Sequence, residues 1–166
     1  METFDRSQFR IRINIKCSVD KLFHCWATRS GMEYWFLRTC EYRKAGGLLL
    51  EKDEITEPGD VFKWLWHGYG DDVAEDGEIL SCNGKDHLKF RFGKAGNCSI
   101  SMYPEEGEMI LDLLQDEIPT DDKALVEWHI GCKTGWTFYL SNLKSLLEGG
   151  IDLRNRNEKL KRVISA

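Results

Sequence analysis

One apolar stripe, sustained from Thr120 to Gly149, constrains this chain more than any other feature. Leu125, Trp128, Cys132, Trp136, Tyr139, Leu143 and Leu146 recur at steps of three and four, flanked by Val126, His129, Leu140 and Leu147. That spacing aligns side chains along one face of an α-helix. From Asp121 to Glu148 such a helix runs roughly 42 Å at 1.5 Å per residue. A face of that length needs an apolar surface of matching size, and the segments before it read as short strands that can form one.

The clearest strand comes first. Phe9, Ile11, Ile13, Ile15 and Cys17 alternate with Arg10, Arg12, Asn14 and Lys16, giving one buried and one wet face. Ser18 then reads as the N-cap of a helix over Val19 to Ala27, with Leu22, Phe23 and Trp26 as its apolar face. Ser30 and Gly31 read as a break before a second short helix, Met32 to Phe36. Strands are expected over Arg38 to Arg43 and Val61 to His67, separated by a polar connection that ends at the Pro58–Gly59 turn. Glu78 to Cys82 should pair with Leu88 to Phe92 across Asn83–Gly84, a dipeptide suited to tight hairpins. Cys98, Ile100 and Met102 alternate in the next strand, and Glu108 to Ile118 forms the last. Pro119 ends the sheet, Thr120 or Asp121 caps the long helix, and Gly149–Gly150 stops it.

Length and composition set broad limits. A chain of 166 residues is large enough for one domain with a real core, and we expect a single domain over residues 1–166. With 42% apolar and 31% charged residues it is a globular sequence, not a disordered one. A net charge of −5 offers no positive field to nucleic acid. No apolar run approaches the ~20 residues of a membrane span, and Met1, Glu2, Thr3, Phe4 and Asp5 lack a signal-peptide pattern. The expected location is the cytoplasm. Residues 151–166 carry Arg154, Arg156, Lys159, Lys161 and Arg162, read as a solvated tail with Ile151 and Leu153 packed back on the core, the alternative being an electrostatic contact segment.

Sets of residues that carry chemistry are scarce. Cys17, Cys25, Cys40, Cys82, Cys98 and Cys132 are scattered without metal-ligand spacing and read as free structural thiols; no metal and no cofactor is expected. Gly68-Tyr69-Gly70 lacks the third glycine of a dinucleotide fingerprint. Asp71, Asp72, Glu75 and Asp76 read as a hydrated loop. His24, His67, His87 and His129 stand apart from one another, and an isolated histidine is ordinarily a satisfied structural one, so no catalytic residue is assigned.

The aromatic content is the stronger signal. Trp26, Trp35, Trp64, Trp66, Trp128 and Trp136 are joined by eight phenylalanines and five tyrosines. Rings gathered around a gap between helix and sheet would form an apolar pocket with a few polar tips. Gly131 and Gly135 sharpen that thought. Each costs about 1 kcal/mol relative to alanine inside a helix, so either the sheet approaches closely there or the missing side chains leave room for a ligand.

The order of one strand, two short helices, six strands and a long helix resembles the helix-grip fold of the START-like (SRPBCC) superfamily. Within it the chain is most similar to the branch named for the activator of the heat-shock-protein-ninety ATPase. The matching stretches are Val19-Asp20-Lys21-Leu22-Phe23 with Trp26, Tyr34-Trp35-Phe36, Pro58-Gly59-Asp60, and Gly135-Trp136 through Leu143-Lys144 to Leu147-Glu148-Gly149-Gly150-Ile151-Asp152. The resemblance implies an α+β fold whose curved antiparallel sheet wraps a C-terminal helix, with a cavity between them. In the superfamily such cavities hold lipids, sterols, plant hormones or polyketides.

The reading is therefore a binder of a small apolar or amphipathic molecule. Trp35, Phe36, Trp64, Trp66, Leu113, Gln115, Trp128, Cys132 and Trp136 are expected to line its cavity. Gln115, His129 and the indole N–H groups would orient a polar end. The alternative, implied by the family name, is a cochaperone acting on a heat-shock ATPase through its surface. A third reading is a cyclase- or hydrolase-like enzyme using a histidine or a carboxylate, with His129 and His67 as the histidines to test.

Overall fold

The structure is a computed structural model that describes residues 4–160, 163 and 164. Met1, Glu2 and Thr3 of the N-terminal reading, and Lys161 and Arg162 of the basic tail, lie outside the described residues. Strand β1 (Phe9–Asn14) is followed by helices α1 (Val19–Ala27) and α2 (Arg29–Trp35). Strands β2 (Thr39–Arg43), β3 (Val61–Leu65), β4 (Ala74–Cys82), β5 (His87–Phe92), β6 (Asn97–Glu105) and β7 (Glu108–Asp116) come next. The seven strands make one open, antiparallel sheet in the order β1-β7-β6-β5-β4-β3-β2. β1 and β2 are its two edges, and α1 and α2 carry the chain from one edge to the other. The order of elements is the one expected from sequence.

Local chemistry explains the joints. Ser18 caps α1 as its hydroxyl accepts from the Lys21 amide, and Asp121 caps the C-terminal helix by accepting from Lys123 and Ala124. The break between α1 and α2 falls at Thr28, not at Ser30 and Gly31. Thr28 caps α2 by accepting from the Gly31 amide, which places Ser30 and Gly31 in its first turn. Gly31 is required there for space: a Cβ would sit 2.1 Å from the His24 carbonyl oxygen. The β4–β5 hairpin forms as expected, but its connection is longer than a two-residue turn, and Asn83 Oδ1 closes it by accepting from the amides of Lys85, Asp86 and His87. Glu75 and Asp76 belong to β4 rather than to a loop.

The C-terminal helix departs from uniform α periodicity. It begins as α3 (Asp122–Ala124), widens into a π-helical stretch (Leu125–Ile130) and continues as α4 (Gly131–Leu147). The wider turn shifts which residues face inward. Ala124 and His129, five positions apart, are both buried, while Leu125 and Trp128 on the expected stripe are only half-buried.

Aromatic rings fill the space between sheet and helix. Trp26 packs on Trp35 at 4.7 Å, Phe36 stacks on Trp136 at 5.0 Å, and Phe62 stacks on Trp64 at 3.9 Å. Beyond the helix, Arg154 closes the structure in place of the expected Ile151 and Leu153, both of which are exposed. Its buried guanidinium donates to the carbonyls of Glu33, Tyr34 and Leu37 and pairs with Asp152. A charge so placed is stabilised by carbonyl and carboxylate partners rather than by water.

Candidate functional site

Where the C-terminal helix passes from its π-helical stretch into α4, an open cleft of about 320 Å³ enters the aromatic cluster. Its floor is the stacked pair Phe36 and Trp136. Trp66, Tyr69 and Val73, from the segment after β3, form one wall, and Phe92 at the end of β5 forms another. The helix contributes Glu127, Gly131, Cys132, Gly135 and Tyr139. At Gly135 an added Cβ would meet nothing within 4 Å, and at Gly131 it would meet only the Val126 carbonyl oxygen at 3.5 Å. The glycines therefore leave space; they do not accommodate a close backbone approach.

The residues expected at the site divide into three groups. Phe36, Trp66, Cys132 and Trp136 come together in the cleft. Trp128 lines an adjoining groove, which shares Phe92 and Cys132 with the cleft and adds Glu75, Asp76 and Lys94. Trp35, Trp64, Leu113, Gln115 and His129 lie in the packed interior. Gln115 is fully engaged there: its Oε1 accepts from Trp136 Nε1 at 2.9 Å and its Nε2 donates to the Ala95 carbonyl at 2.8 Å. It sets the position of the cleft floor from below. Trp35 Nε1 donates to the Cys25 carbonyl at 2.9 Å. His129 Nδ1 lies 3.0 Å from the Arg6 carbonyl oxygen, and its ring packs between Phe4 and Phe9, so it anchors the N-terminal segment to the helix.

Sequence reasoning missed Tyr69, Val73, Phe92, Glu127 and Tyr139 in the cleft and Glu75 beside it. Tyr69 and Val73 were legible as large side chains in an otherwise polar loop. Glu75 had no such signal, because its importance comes from the strand beside it.

Burial sets the electrostatics. Glu75 is held above the usual carboxylate range by its half-buried position and then by neighbouring Asp76. No hydrogen bond or ion pair reaches its side chain among the described residues. Burial raises the Cys132 thiol and pushes the Tyr139 hydroxyl up to about 12, so both face the cleft protonated at neutral pH. All six cysteines are free thiols. Among the described residues no three His, Cys, Asp or Glu side chains gather as a metal site, and no helix is long and apolar enough to cross a membrane. A larger hollow of about 780 Å³ lies on the outer sheet face, but its charged groups are already paired, Arg10 Nε donating to Asp112 at 2.7 Å.

Residues 16–148 match the family described as Activator of Hsp90 ATPase homolog 1-like protein. The chain belongs to this family. A comparison with curated protein sequences returns no match. Among solved structures it is similar to protein SSP2350 from Staphylococcus saprophyticus, with a TM-score of 0.67 at 19% identity over 89% of this chain and 96% of that one. It is also similar to the Aha1 dimer from Colwellia psychrerythraea, with a TM-score of 0.65 at 17% identity over 86% and 97% of the two chains. Protein NE0264 from Nitrosomonas europaea gives a TM-score of 0.66 at 12% identity over 89% and 97%. At these identities the likeness is one of fold: the open antiparallel sheet, the short helices after the first strand and the long C-terminal helix.

Proposed function

We propose that this member of the activator family binds a small hydrophobic or amphipathic molecule in the cleft beside Gly135. The observation that carries the reading is the unfilled volume over Gly131 and Gly135, walled by Phe36, Trp66, Phe92 and Trp136. Two glycines inside a helix weaken it, and here their missing side chains correspond to open space at an aromatic wall. The cleft's volume is at the small end for ligand sites, which favours an aromatic or short-chain molecule over a full lipid. Tryptophans at the wall provide the readout. A bound apolar probe should change intrinsic tryptophan emission saturably and raise the melting temperature by linkage. A panel of aromatic and short-chain amines, alcohols and acids, with sterols and fatty acids beside them, that shifts neither signal would sink the proposal.

The family name favours a second reading, a cochaperone that stimulates a heat-shock ATPase through its surface. Its test is the turnover of the host's ninety-kilodalton heat-shock ATPase with and without the purified protein. An unchanged rate together with no co-sedimentation would remove it. An enzymatic reading through His129 or His67 would require turnover of a bound compound that is lost in His129→Ala or His67→Ala.

A further inference from the structure

Resting on the reading of the cleft as a ligand site, we infer that its ligand carries a cationic group, an amine or ammonium, rather than a carboxylate. The cleft and the groove that continues it through Phe92 and Cys132 present rings on several sides: Trp66, Phe92, Trp128 and Trp136. Aromatic faces carry negative potential and attract cations, most strongly where water is displaced. The charges point the same way. Among the described residues that line the cleft, Glu127 is the one carboxylate and none is Lys, Arg or His.

Glu75 adds the decisive contact. It is half-buried in the groove beside Trp128 and Cys132, and neither a hydrogen bond nor an ion pair engages its carboxylate among the described residues. A half-buried carboxylate without a donor keeps its acceptor positions open, and a ligand ammonium would fill them with a charge-assisted hydrogen bond. Among the described residues two lysines border the region, and neither pairs with Glu75. Lys94 lines the groove without forming an ion pair with it, and Lys123 approaches Glu127 at 3.9 Å on the solvent side. An anionic ligand would meet Glu127 and Glu75 with like charge.

The test uses three probes of one shape: naphthalene-ethylamine, naphthalene-ethanol and naphthalene-acetate, titrated calorimetrically into the full chain at neutral pH and low salt. The expected order is amine, then alcohol, then carboxylate, with the amine about tenfold tighter than the alcohol. Glu75→Gln should remove most of the amine's advantage and leave the alcohol's affinity unchanged, and Glu127→Gln should remove less. Equal binding of the three, or tighter binding of the carboxylate, overturns the inference and leaves the cleft standing as a ligand site. Binding of none of the three overturns the cleft as a site for aromatic ligands, and this inference with it. An amine preference unmoved in both variants overturns the assignment of the charge to these carboxylates. Should Glu75→Gln fail to fold, the order of the three probes on the unmodified chain still decides.

Discussion

The two halves of the C-terminal helix face the same sheet in different ways. From Trp136 to Leu147 the inner side chains are buried and close-packed, and Asn142 even bonds the Trp35 carbonyl at 2.7 Å. From Leu125 to Gly135 the helix is wide over its first six residues, then carries two glycines, and it leaves Val126 and Ile130 exposed. One half secures the fold; the other leaves a cleft. The difference shows that an amphipathic stripe is a statement about the average face of a helix, while a site is made where that average is locally broken.

The largest effect should come from the packed half. Leu143 has no exposed surface, and Leu143→Ala should cost about 3 kcal/mol through lost burial and the cavity left behind. Urea unfolding monitored by circular dichroism measures it. A cost below about 1 kcal/mol would mean that this half is as loosely filled as the other, and the contrast would collapse. Next is the joint between the halves, Gln115→Leu. The substitution leaves Trp136 Nε1 and the Ala95 carbonyl without partners in the interior, which should cost about 2 kcal/mol. The same experiment tests whether Gln115 touches ligand. A variant that keeps its stability but loses probe binding would move Gln115 from support to contact.

The same contrast explains what could be read from sequence. Alternation in β1 and the three-four spacing of Trp136, Tyr139, Leu140 and Leu143 report burial directly, so strands, α1 and the packed half of the helix were legible. The π-helical stretch was not. It preserves apolar composition while shifting phase, so His129 turned inward to Arg6 and Trp128 moved toward the rim. Tryptophans also look alike in sequence whether they fill a core, as Trp35 and Trp64 do, or wall a cleft, as Trp66 does. Glycine spacing was the better pointer, because a helix has few other reasons to contain both Gly131 and Gly135.

Gly135→Ala probes the open half with a smaller effect. With nothing within 4 Å of the new methyl, helix propensity is unopposed, and the empty protein should gain up to about 1 kcal/mol. The methyl enters the cleft, so affinity for an apolar probe should fall. Unfolding curves with and without probe separate the two effects. Destabilisation would reveal close packing at Gly135, and added stability with affinity intact would place the binding site elsewhere.

The smallest effect is electrostatic and again belongs to the open half. Glu75 holds its proton more tightly in the folded chain than in the unfolded one, because burial and Asp76 both disfavour its charge. Its contribution to stability is therefore fully present below the ordinary carboxylate pKa and is lost as pH rises through the higher folded value. The groups around it are Asp76 on its own strand and Phe92, Lys94, Trp128 and Cys132 across the groove. Paired carboxylates elsewhere have the opposite sign: Asp112, held down by Arg10, stabilises the fold at neutral pH and loses that contribution on acidification. Glu75→Gln removes the first effect and keeps the second. The variant should be more stable than the parent at pH 7 by only a few tenths of a kcal/mol after solvent screening, and the difference should vanish near pH 4. Thermal melts of the two proteins across that range give the comparison. A variant less stable at neutral pH would mean that Glu75 already has a favourable partner when the cleft is empty, and the half of the helix beside it would be less open than its geometry indicates.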